Sequence, residues 1–148
     1  MRHAALALAA GLIAGCSHIV ILHDPLTAAE HNDLGLSYET GGHADLARRE
    51  YQKALKLDPH LVRARVNLGN VEAGAGRWSK AEDHYRRALR DAPGDADALN
   101  NLAVALLRQG RDLVEAESLA VRALRSGGER DSIYRATLGE VRAARNGR

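Results

Sequence analysis

The sequence of 148 residues contains no phenylalanine, one tryptophan and four tyrosines. Alanine and leucine dominate instead, with 27 and 21 residues respectively. Because β-sandwiches and barrels are rich in aromatic and β-branched residues, this composition argues against an all-β fold. The charged fraction of 27% is ordinary for a folded protein and argues against wholesale disorder. The length is enough for one domain and short for two.

Cysteine and strong net charge are also scarce. The single cysteine, Cys16, excludes an internal disulfide framework and a cysteine-rich zinc site. The formal net charge is +2, and no dense basic run is interleaved with aromatic residues, so a nucleic-acid partner is not expected. The sequence has no phosphate-binding glycine loop, nucleophile elbow or histidine pair with metal-ligand spacing. We therefore expect no catalytic residue, metal, cofactor or small-molecule substrate.

The N-terminal segment has the layout of a secretory signal. Residues 1–15 carry one cation, Arg2, followed by an apolar run over residues 4–15. This run is shorter than the roughly 20 apolar residues that a membrane-spanning helix needs. The run ends with Ile13, Ala14 and Gly15, and Cys16 follows directly. They resemble the lipobox of bacterial lipoproteins, in which the cysteine thiol receives a diacylglyceryl group and the chain is cut before it.

The lipobox resemblance implies a signal peptide over residues 1–15 and a lipidated Cys16 that opens a linker over residues 16–26. Ser17 rather than aspartate follows the cysteine, which by analogy with enteric bacteria favours the outer membrane. The expected location is therefore the bacterial cell envelope, at the periplasmic face of the outer membrane. Two alternatives stay open: an uncleaved membrane anchor, and a misassigned start codon in a cytoplasmic protein.

Proline is rare as well, and its spacing is regular: Pro25, Pro59 and Pro93 are separated by equal intervals that give a 34-residue period. The segments before the last two prolines repeat with the same period. The first segment contains His31-x-x-Leu34-Gly35-x-x-Tyr38, followed by Ala47-x-x-x-Tyr51-x-x-Ala54. The second segment contains Arg65-x-x-Leu68-Gly69-x-x-Glu72, followed by Ala81-x-x-x-Tyr85-x-x-Ala88. This pattern resembles the tetratricopeptide (TPR) repeat, with His31 and Arg65 in place of the family's tryptophan.

A third, weaker copy begins with Leu99-x-x-Leu102-Ala103-x-x-Leu106, and its second half is displaced by one residue that we place after Gly110. A last stretch without a following helix resembles the cap helix of such arrays. The resemblance therefore implies an all-α TPR solenoid over residues 27–145. Its parts are three helix-turn-helix repeats (residues 28–61, 62–95 and 96–130) and a C-terminal capping helix (131–145). Residues 146–148 form a flexible tail.

The local physics supports this division. Small residues at positions 35, 69 and 103 allow close helix contact, with leucine buried just before each of them. We predict helices over residues 28–40, 44–57, 60–73, 79–92, 95–109, 113–126 and 132–145. Capping boxes are expected at Thr27 and at Ser79, and Asp58 is expected to cap a helix that begins with Pro59. Glycines at positions 41, 42, 76 and 110 suit the turns, and Trp78 is expected in the core.

In a TPR solenoid the first helix of each pair lines a concave groove, and Asp33, Asn67 and Asn101 occupy one register of it, each a full repeat from the next. Asparagine amides both donate and accept hydrogen bonds, so such a ladder could hold an extended peptide. The alternative is that these asparagines only cap turns or contact solvent. The groove residues expected to contact a partner are Asn32, Asp33, Leu36, Arg63, Asn67, Asn70, Asn100, Asn101 and Arg108. Of these, Arg63 and Arg108 would meet carboxylates.

The clamp with which some TPR proteins hold chaperone peptides needs cations in the first and third repeats. Its positions hold Asn32, Leu36, Asp97 and Asn101 here, so this clamp is not expected. The predicted function is a lipid-anchored TPR scaffold that binds a peptide or helix of a partner protein and assists an envelope assembly or export complex. The alternatives are a non-catalytic subunit of a peptidase or polysaccharide-export complex, and a self-assembling protein.

Overall fold

A computed structural model of the chain describes residues 24–127 and 130–147, and these residues form helices without strands. The predicted signal peptide, Cys16 and most of the linker lie outside the described residues. The helices are α1 (Ala28–Thr40), α2 (Ala44–Leu57), α3 (Val62–Gly74), α4 (Trp78–Asp91), α5 (Ala96–Gln109), α6 (Leu113–Arg125) and α7 (Asp131–Asn146). In the described part of the chain, no helix combines the length and the apolar character needed to cross a membrane.

The helices pack as three consecutive pairs, α1 with α2, α3 with α4 and α5 with α6, and α7 packs on the last pair. The first helices of successive pairs contact one another, and α7 continues that row by contacting α5. Within the described ranges, the second helices α2, α4 and α6 make no such contacts with one another. A stack whose first helices are closer together than its second helices curves toward the first helices, which makes α1, α3 and α5 the inner row. The predicted all-α solenoid with a terminal helix is confirmed.

Glycine permits the close approach within each of the first two pairs. A Cβ atom added at Gly35 would lie 2.5 Å from Tyr51 Cε1, and one at Gly69 would lie 2.5 Å from Tyr85 Cε1. Both distances are far below van der Waals contact, so the tyrosine rings occupy the space that a larger residue would need. The glycine and the tyrosine recur together at the same offset in both repeats, and they therefore set the distance between the paired helices.

The hydrophobic core runs from the second pair through α7. Tyr134, Leu138 and Val141 of α7 belong to the same cluster of buried residues as Leu102 and Leu106 of α5. The last helix thus covers the apolar face that α5 and α6 would otherwise expose, as expected for a terminal cap. The predicted leucine burial holds at positions 68 and 102, but Leu34 is only half-buried because no described helix pair precedes α1.

The turns within the pairs repeat with one variation. Gly42, Gly76 and Gly110 all adopt positive φ angles, of 79°, 72° and 63°. One residue separates the glycine from the following helix in the first two turns, but two residues separate Gly110 from α6. The extra residue of the third repeat is therefore accommodated there. Asp112 takes the left-handed conformation (φ 39°) and accepts a hydrogen bond from the Glu115 amide at 3.0 Å.

Four helices start one or two residues from the predicted positions, and two of the predicted caps, at Asp58 and at Ser79, were wrong. Helix α3 begins at Val62, and Asp58 instead accepts a hydrogen bond from the amide of His60 at 2.9 Å, so Pro59 lies in a turn and not at the first helical position. Helix α4 begins at Trp78, one residue before the expected cap, and no side chain caps it. Glu82 is free for other contacts and bonds Gln109 of α5 at 2.8 Å. The capping box at Thr27 and Glu30 is present as predicted.

Candidate functional site

Two cavities lie on the inner row of helices. The first, which we call the acidic cavity, has a volume of about 230 Å³ and is lined by Asn32, Asp33, Leu36, Arg63, Val66, Asn67, Asp95 and Asp97. The second, which we call the tryptophan cavity, has a volume of about 240 Å³ and is lined by Asn70, Ala73, Gly74, Trp78, Tyr85, Asn101 and Val104. The acidic cavity spans α1, α3 and the start of α5, and the tryptophan cavity spans α3, α4 and α5.

Three carboxylates face one guanidinium in the acidic cavity. Asp33 is exposed and accepts a hydrogen bond from Asn32 Nδ2 at 3.2 Å. Asp95 caps α5 by accepting from the Ala98 amide at 2.8 Å. Asp97 accepts from Tyr134 Oη at 2.9 Å and forms an ion pair with Arg130 at 2.8 Å. Arg63 forms no ion pair with a residue that the structure describes, and the excess charge of the lining is negative.

The tryptophan cavity combines an apolar wall with amides. Trp78 is half-buried and stands beside Ala73 and Val104. The carbonyl oxygen of Asn70 already accepts from Tyr85 Oη at 2.9 Å and from Asn101 Nδ2 at 2.9 Å. Burial raises the pKa of Tyr85, so this phenol remains a neutral donor. The oxygen of Asn70 is saturated, and the open part of the cavity is largely apolar.

The predicted asparagine ladder is present in a different form. Asn67 donates to Asn32 Oδ1 at 3.0 Å, so adjacent repeats are joined by amide pairs and not only aligned in register. Asn32 is 2% exposed, and both its oxygen and its amide group are engaged within the protein. Asn67 retains its carbonyl oxygen and one N–H for a ligand. Asn101 donates to Asn70 Oδ1 at 2.9 Å and accepts from Asn100 Nδ2 at 3.3 Å, so Asn67 keeps more binding capacity than Asn101.

Seven of the nine expected groove residues line one of the two cavities. The acidic cavity takes Asn32, Asp33, Leu36, Arg63 and Asn67, and the tryptophan cavity takes Asn70 and Asn101. Asn100 is 5% exposed, donates to Asn101 Oδ1 at 3.3 Å and lines neither cavity. Arg108 is exposed and also lies outside both.

Sequence reasoning missed two features of the site. Trp78 was expected in the core, but it is only half-buried against the core and also lines the tryptophan cavity, where α4 starts one residue earlier than predicted. Asp95 and Asp97 were not chosen as contact residues, although they begin the third repeat's first helix on its inner side. A count of charge across all three inner helices would have found them.

Within the described ranges, no three His, Cys, Asp or Glu side chains are grouped to hold a metal ion.

Comparison with known proteins agrees with the repeat architecture. A family model described as tetratricopeptide repeat matches residues 32–96 and 67–131. Tetratricopeptide repeat protein 6 of Homo sapiens is 32% identical over 78 residues, which is 53% of this chain and 15% of the human protein. The probable biofilm formation methyltransferase WspC of Pseudomonas putida is 36% identical over 113 residues, 71% of this chain and 26% of WspC. The chain thus spans about a quarter or less of these two relatives.

Among solved structures, the first TPR of Spaghetti (RPAP3) bound to the HSP90 peptide SRMEEVD superposes with a TM-score of 0.75 at 19% identity. The superposition covers 80% of this chain and 95% of that one. The similarity to this structure is one of fold, and it extends over most of the described helices.

Proposed function

Because the chain belongs to the tetratricopeptide repeat family, we propose that it is a protein-interaction scaffold that holds an extended peptide of a partner protein on its inner row of helices. The observation that carries this proposal is the pair of neighbouring cavities on α3 and α5, one acidic and one apolar. Concave surfaces with an apolar wall and a few placed polar groups are suited to ligand binding. Each cavity is large enough for one long side chain.

The chemistry of the cavities defines the peptide. Asp33, Asp95 and Asp97 favour a lysine or arginine side chain, because three carboxylates outnumber the two guanidinium groups beside them, Arg63 and the Arg130 that pairs with Asp97. The wall of Trp78, Ala73 and Val104 favours an apolar side chain. Between the two, Asn67 and Asn101 can donate to and accept from a peptide backbone. We therefore propose a partner segment that carries one basic and one apolar residue.

This ligand differs from the peptide held by the structural neighbour. The peptide SRMEEVD bound to the RPAP3 domain carries three acidic residues and one basic residue. In this chain, the acidic cavity would repel such a segment. The absence of cations at Asn32, Leu36 and Asp97 supports the same distinction. A carboxylate as the ligand of Arg63, which the sequence suggested, is disfavoured by the aspartates around it.

Selection from a displayed library of random heptapeptides on the full chain tests the proposal. We expect enriched peptides to contain lysine or arginine together with a large apolar residue. An enriched peptide, labelled and titrated by fluorescence anisotropy, should bind Asp33→Asn and Trp78→Ala at least tenfold more weakly, as expected for central contact residues. Arg49→Ala, an exposed position on α2, is the matched control and should bind as the unaltered chain does.

A double variant tests the proposed asparagine contacts with the peptide backbone. The double variant Asn67→Ala, Asn101→Ala should weaken binding of the same peptide while the circular dichroism spectrum stays helical. Unchanged affinity in the folded double variant would move the backbone contacts elsewhere. Enrichment of acidic peptides, or of none, would contradict the proposed groove chemistry.

We also propose that Cys16 anchors this scaffold to a bacterial membrane by lipid, with the outer membrane as its destination. The support is the lipobox-like sequence at the end of a short apolar run. Two or three acyl chains are needed for firm anchoring, because one alone binds only marginally. Labelled palmitate should enter the chain in a bacterial host and should not enter Cys16→Ala. Equal labelling of both proteins would show that Cys16 is not the lipid site.

A further inference from the structure

A third cavity, which we call the basic cavity, lies where the turn between α2 and α3 meets the C-terminal part of α4. Its volume is about 220 Å³, and it is lined by Pro59, His60, Arg65, Arg87, Arg90 and Asp91. None of these residues lines the acidic cavity or the tryptophan cavity. The basic cavity is therefore a separate feature from the proposed peptide site.

Positive charge in the basic cavity exceeds negative charge. Three arginines face one carboxylate, and that carboxylate, Asp91, is already 3.0 Å from His60 Nδ1. Neither Arg87 nor Arg90 forms an ion pair with a residue in the described ranges, and both are exposed. Arg65 donates from one terminal nitrogen to the carbonyl of Pro59. Its Nε is buried from solvent and has no partner among the described residues.

The first repeat supplies an internal control. The corresponding cavity, one repeat earlier in the chain, is lined by Asp24, His31, Lys53, Lys56 and Leu57. There the charges are balanced within the protein. Glu50 lies 2.7 Å from His31 Nδ1 and 3.0 Å from Lys53 Nζ, and Asp24 lies 3.6 Å from Lys53 Nζ.

The second repeat lacks the two ion-paired carboxylates that balance the charges in the first. The counterpart of Glu50 is His84, whose buried Nδ1 also has no partner among the described residues. Burial lowers the pKa of His84, with Glu72 opposing this and Arg65 and Arg87 adding to it, and an imidazole supplies no negative charge in either protonation state. The counterpart of Asp24 is Asp58, which bonds the amide of His60 and forms no ion pair with a described residue.

The arginines also repel one another. Burial lowers the pKa of Arg65, and the neighbouring Arg87 and Arg90 act in the same direction, while Asp91 opposes them. A half-buried guanidinium with an unpartnered, buried N–H costs stability, and the fold would gain by replacing it with an apolar residue. The third repeat shows that option, since Leu99 holds the same position and is 1% exposed.

We propose that the basic cavity binds a phosphate group. A guanidinium presents paired N–H donors that match the oxygens of phosphate, and several arginines together can neutralise its two charges. The guanidinium of Arg65, which lines the cavity, supplies a donor, and the exposed Arg87 and Arg90 close over the outer oxygens. His60 can add a donor from the turn.

Isothermal titration of the full chain with inorganic phosphate tests the site. We expect saturable binding with one phosphate per chain and a rise of the unfolding midpoint with phosphate concentration, since a ligand of the native state stabilises it. The double variant Arg87→Gln, Arg90→Gln should lose at least tenfold in affinity. Lys53→Gln, Lys56→Gln changes the matching residues of the first repeat and should lose less than twofold. Equal losses in the two double variants would mean bulk charge attraction and overturn the proposal.

Arg65→Leu gives a second readout. This variant should lose phosphate binding at least tenfold and unfold at a higher temperature than the unaltered chain, because it copies the leucine of the third repeat. Retained affinity in the folded variant would contradict a phosphate site at Arg65, and a lower unfolding temperature would contradict the stability cost assigned to its buried N–H.

Free phosphate and lipid headgroups share this chemistry, and short-chain dihexanoyl phosphatidic acid below its micellar concentration separates them. Binding of both ligands with the same variant pattern supports a general phosphate site. Tighter binding of the lipid than of inorganic phosphate supports a headgroup as the source. Failure of both to bind at millimolar concentration would overturn the site without affecting the peptide groove, because no lining residue is shared.

Discussion

Replacement of Gly69 by alanine tests the packing that sets the spacing between α3 and α4. The added Cβ would lie 2.5 Å from Tyr85 Cε1, 2.9 Å from Cδ1 and 3.0 Å from Cζ. An ordinary contact begins near 3.4 Å, so the ring must retreat by close to an ångström. Tyr85 is 2% exposed and its hydroxyl bonds Asn70 Oδ1, which leaves the ring little freedom to move.

Two opposing effects decide how much Gly69→Ala changes the free energy of unfolding. Overpacking a close contact of this kind costs about 1–3 kcal/mol. Alanine in place of glycine inside a helix raises the free energy of unfolding by up to about 1 kcal/mol through its better helix propensity. We therefore expect Gly69→Ala to lower the free energy of unfolding by about 1 kcal/mol net.

A glycine whose added Cβ would meet no neighbour separates the cost of the clash from the gain in helix propensity. Gly139 lies within α7, and a Cβ added there meets no atom within 4 Å. Gly139→Ala should raise the free energy of unfolding by up to about 1 kcal/mol. The two variants share the propensity gain, so the difference between them, about 2 kcal/mol, measures the clash with Tyr85. Urea denaturation followed by circular dichroism provides both values.

The tyrosine partner can be verified by a double-mutant cycle. Tyr85→Leu removes the ring edge that opposes the new Cβ, so Gly69→Ala should cost much less in that background. If the two substitutions are additive, or if Gly69→Ala alone is as stable as Gly139→Ala, the close contact does not set the helix spacing and the reasoning is refuted.

Three further outcomes are expected. Thr27→Ala, which removes the side-chain cap of α1, should lower the free energy of unfolding by about 1 kcal/mol in urea denaturation, and an unchanged value would contradict a stabilising cap. Burial opposes ionisation of Glu72, but hydrogen bonds from two arginines outweigh it and lower its pKa below 4.5. Stability from Glu72 is therefore present above pH 4.5 and lost as pH falls through the lowered pKa, and Glu72→Gln should flatten this part of an acid titration. Burial and the bond to Asp97 raise the pKa of Tyr134 from 10.0 to about 12, so stability should fall between pH 10 and 12, and less steeply in Tyr134→Phe.

The helices and the repeat could be predicted well because they depend on short-range sequence features. The 34-residue recurrence of glycine, alanine and tyrosine places each pair, and turn glycines separate its two helices. The errors at α3 and α4 occurred where two starts compete within a few residues. At Pro59 the aspartate side chain stabilises a turn in place of a helix end, which local propensity alone does not decide.

The inner surface was predicted only in part, for a different reason. The resemblance to the TPR repeat identified seven residues that line the two cavities. It did not reveal that Asn32 accepts a hydrogen bond from Asn67 of the next repeat, or that Asp95 and Asp97 line the same cavity as Arg63. Side-chain partners across repeats depend on the separation and rotation of helices that are distant in the chain.

The sequence by itself determined the all-α class, the three repeats and the terminal helix, because each follows from spacing along the chain, whereas the contacts of Gly35 with Tyr51 and of Gly69 with Tyr85 emerged only from the structure. It also carries the lipobox-like segment, whose interpretation rests on residues 1–17. Only the tertiary structure decided which amides remain open to a ligand and where charge is left unbalanced. The physical reason is that burial and charge balance depend on groups brought together by stacking. The position that Glu50 holds in the first repeat is taken by His84 in the second, so the carboxylate that balances charge there is absent from that position.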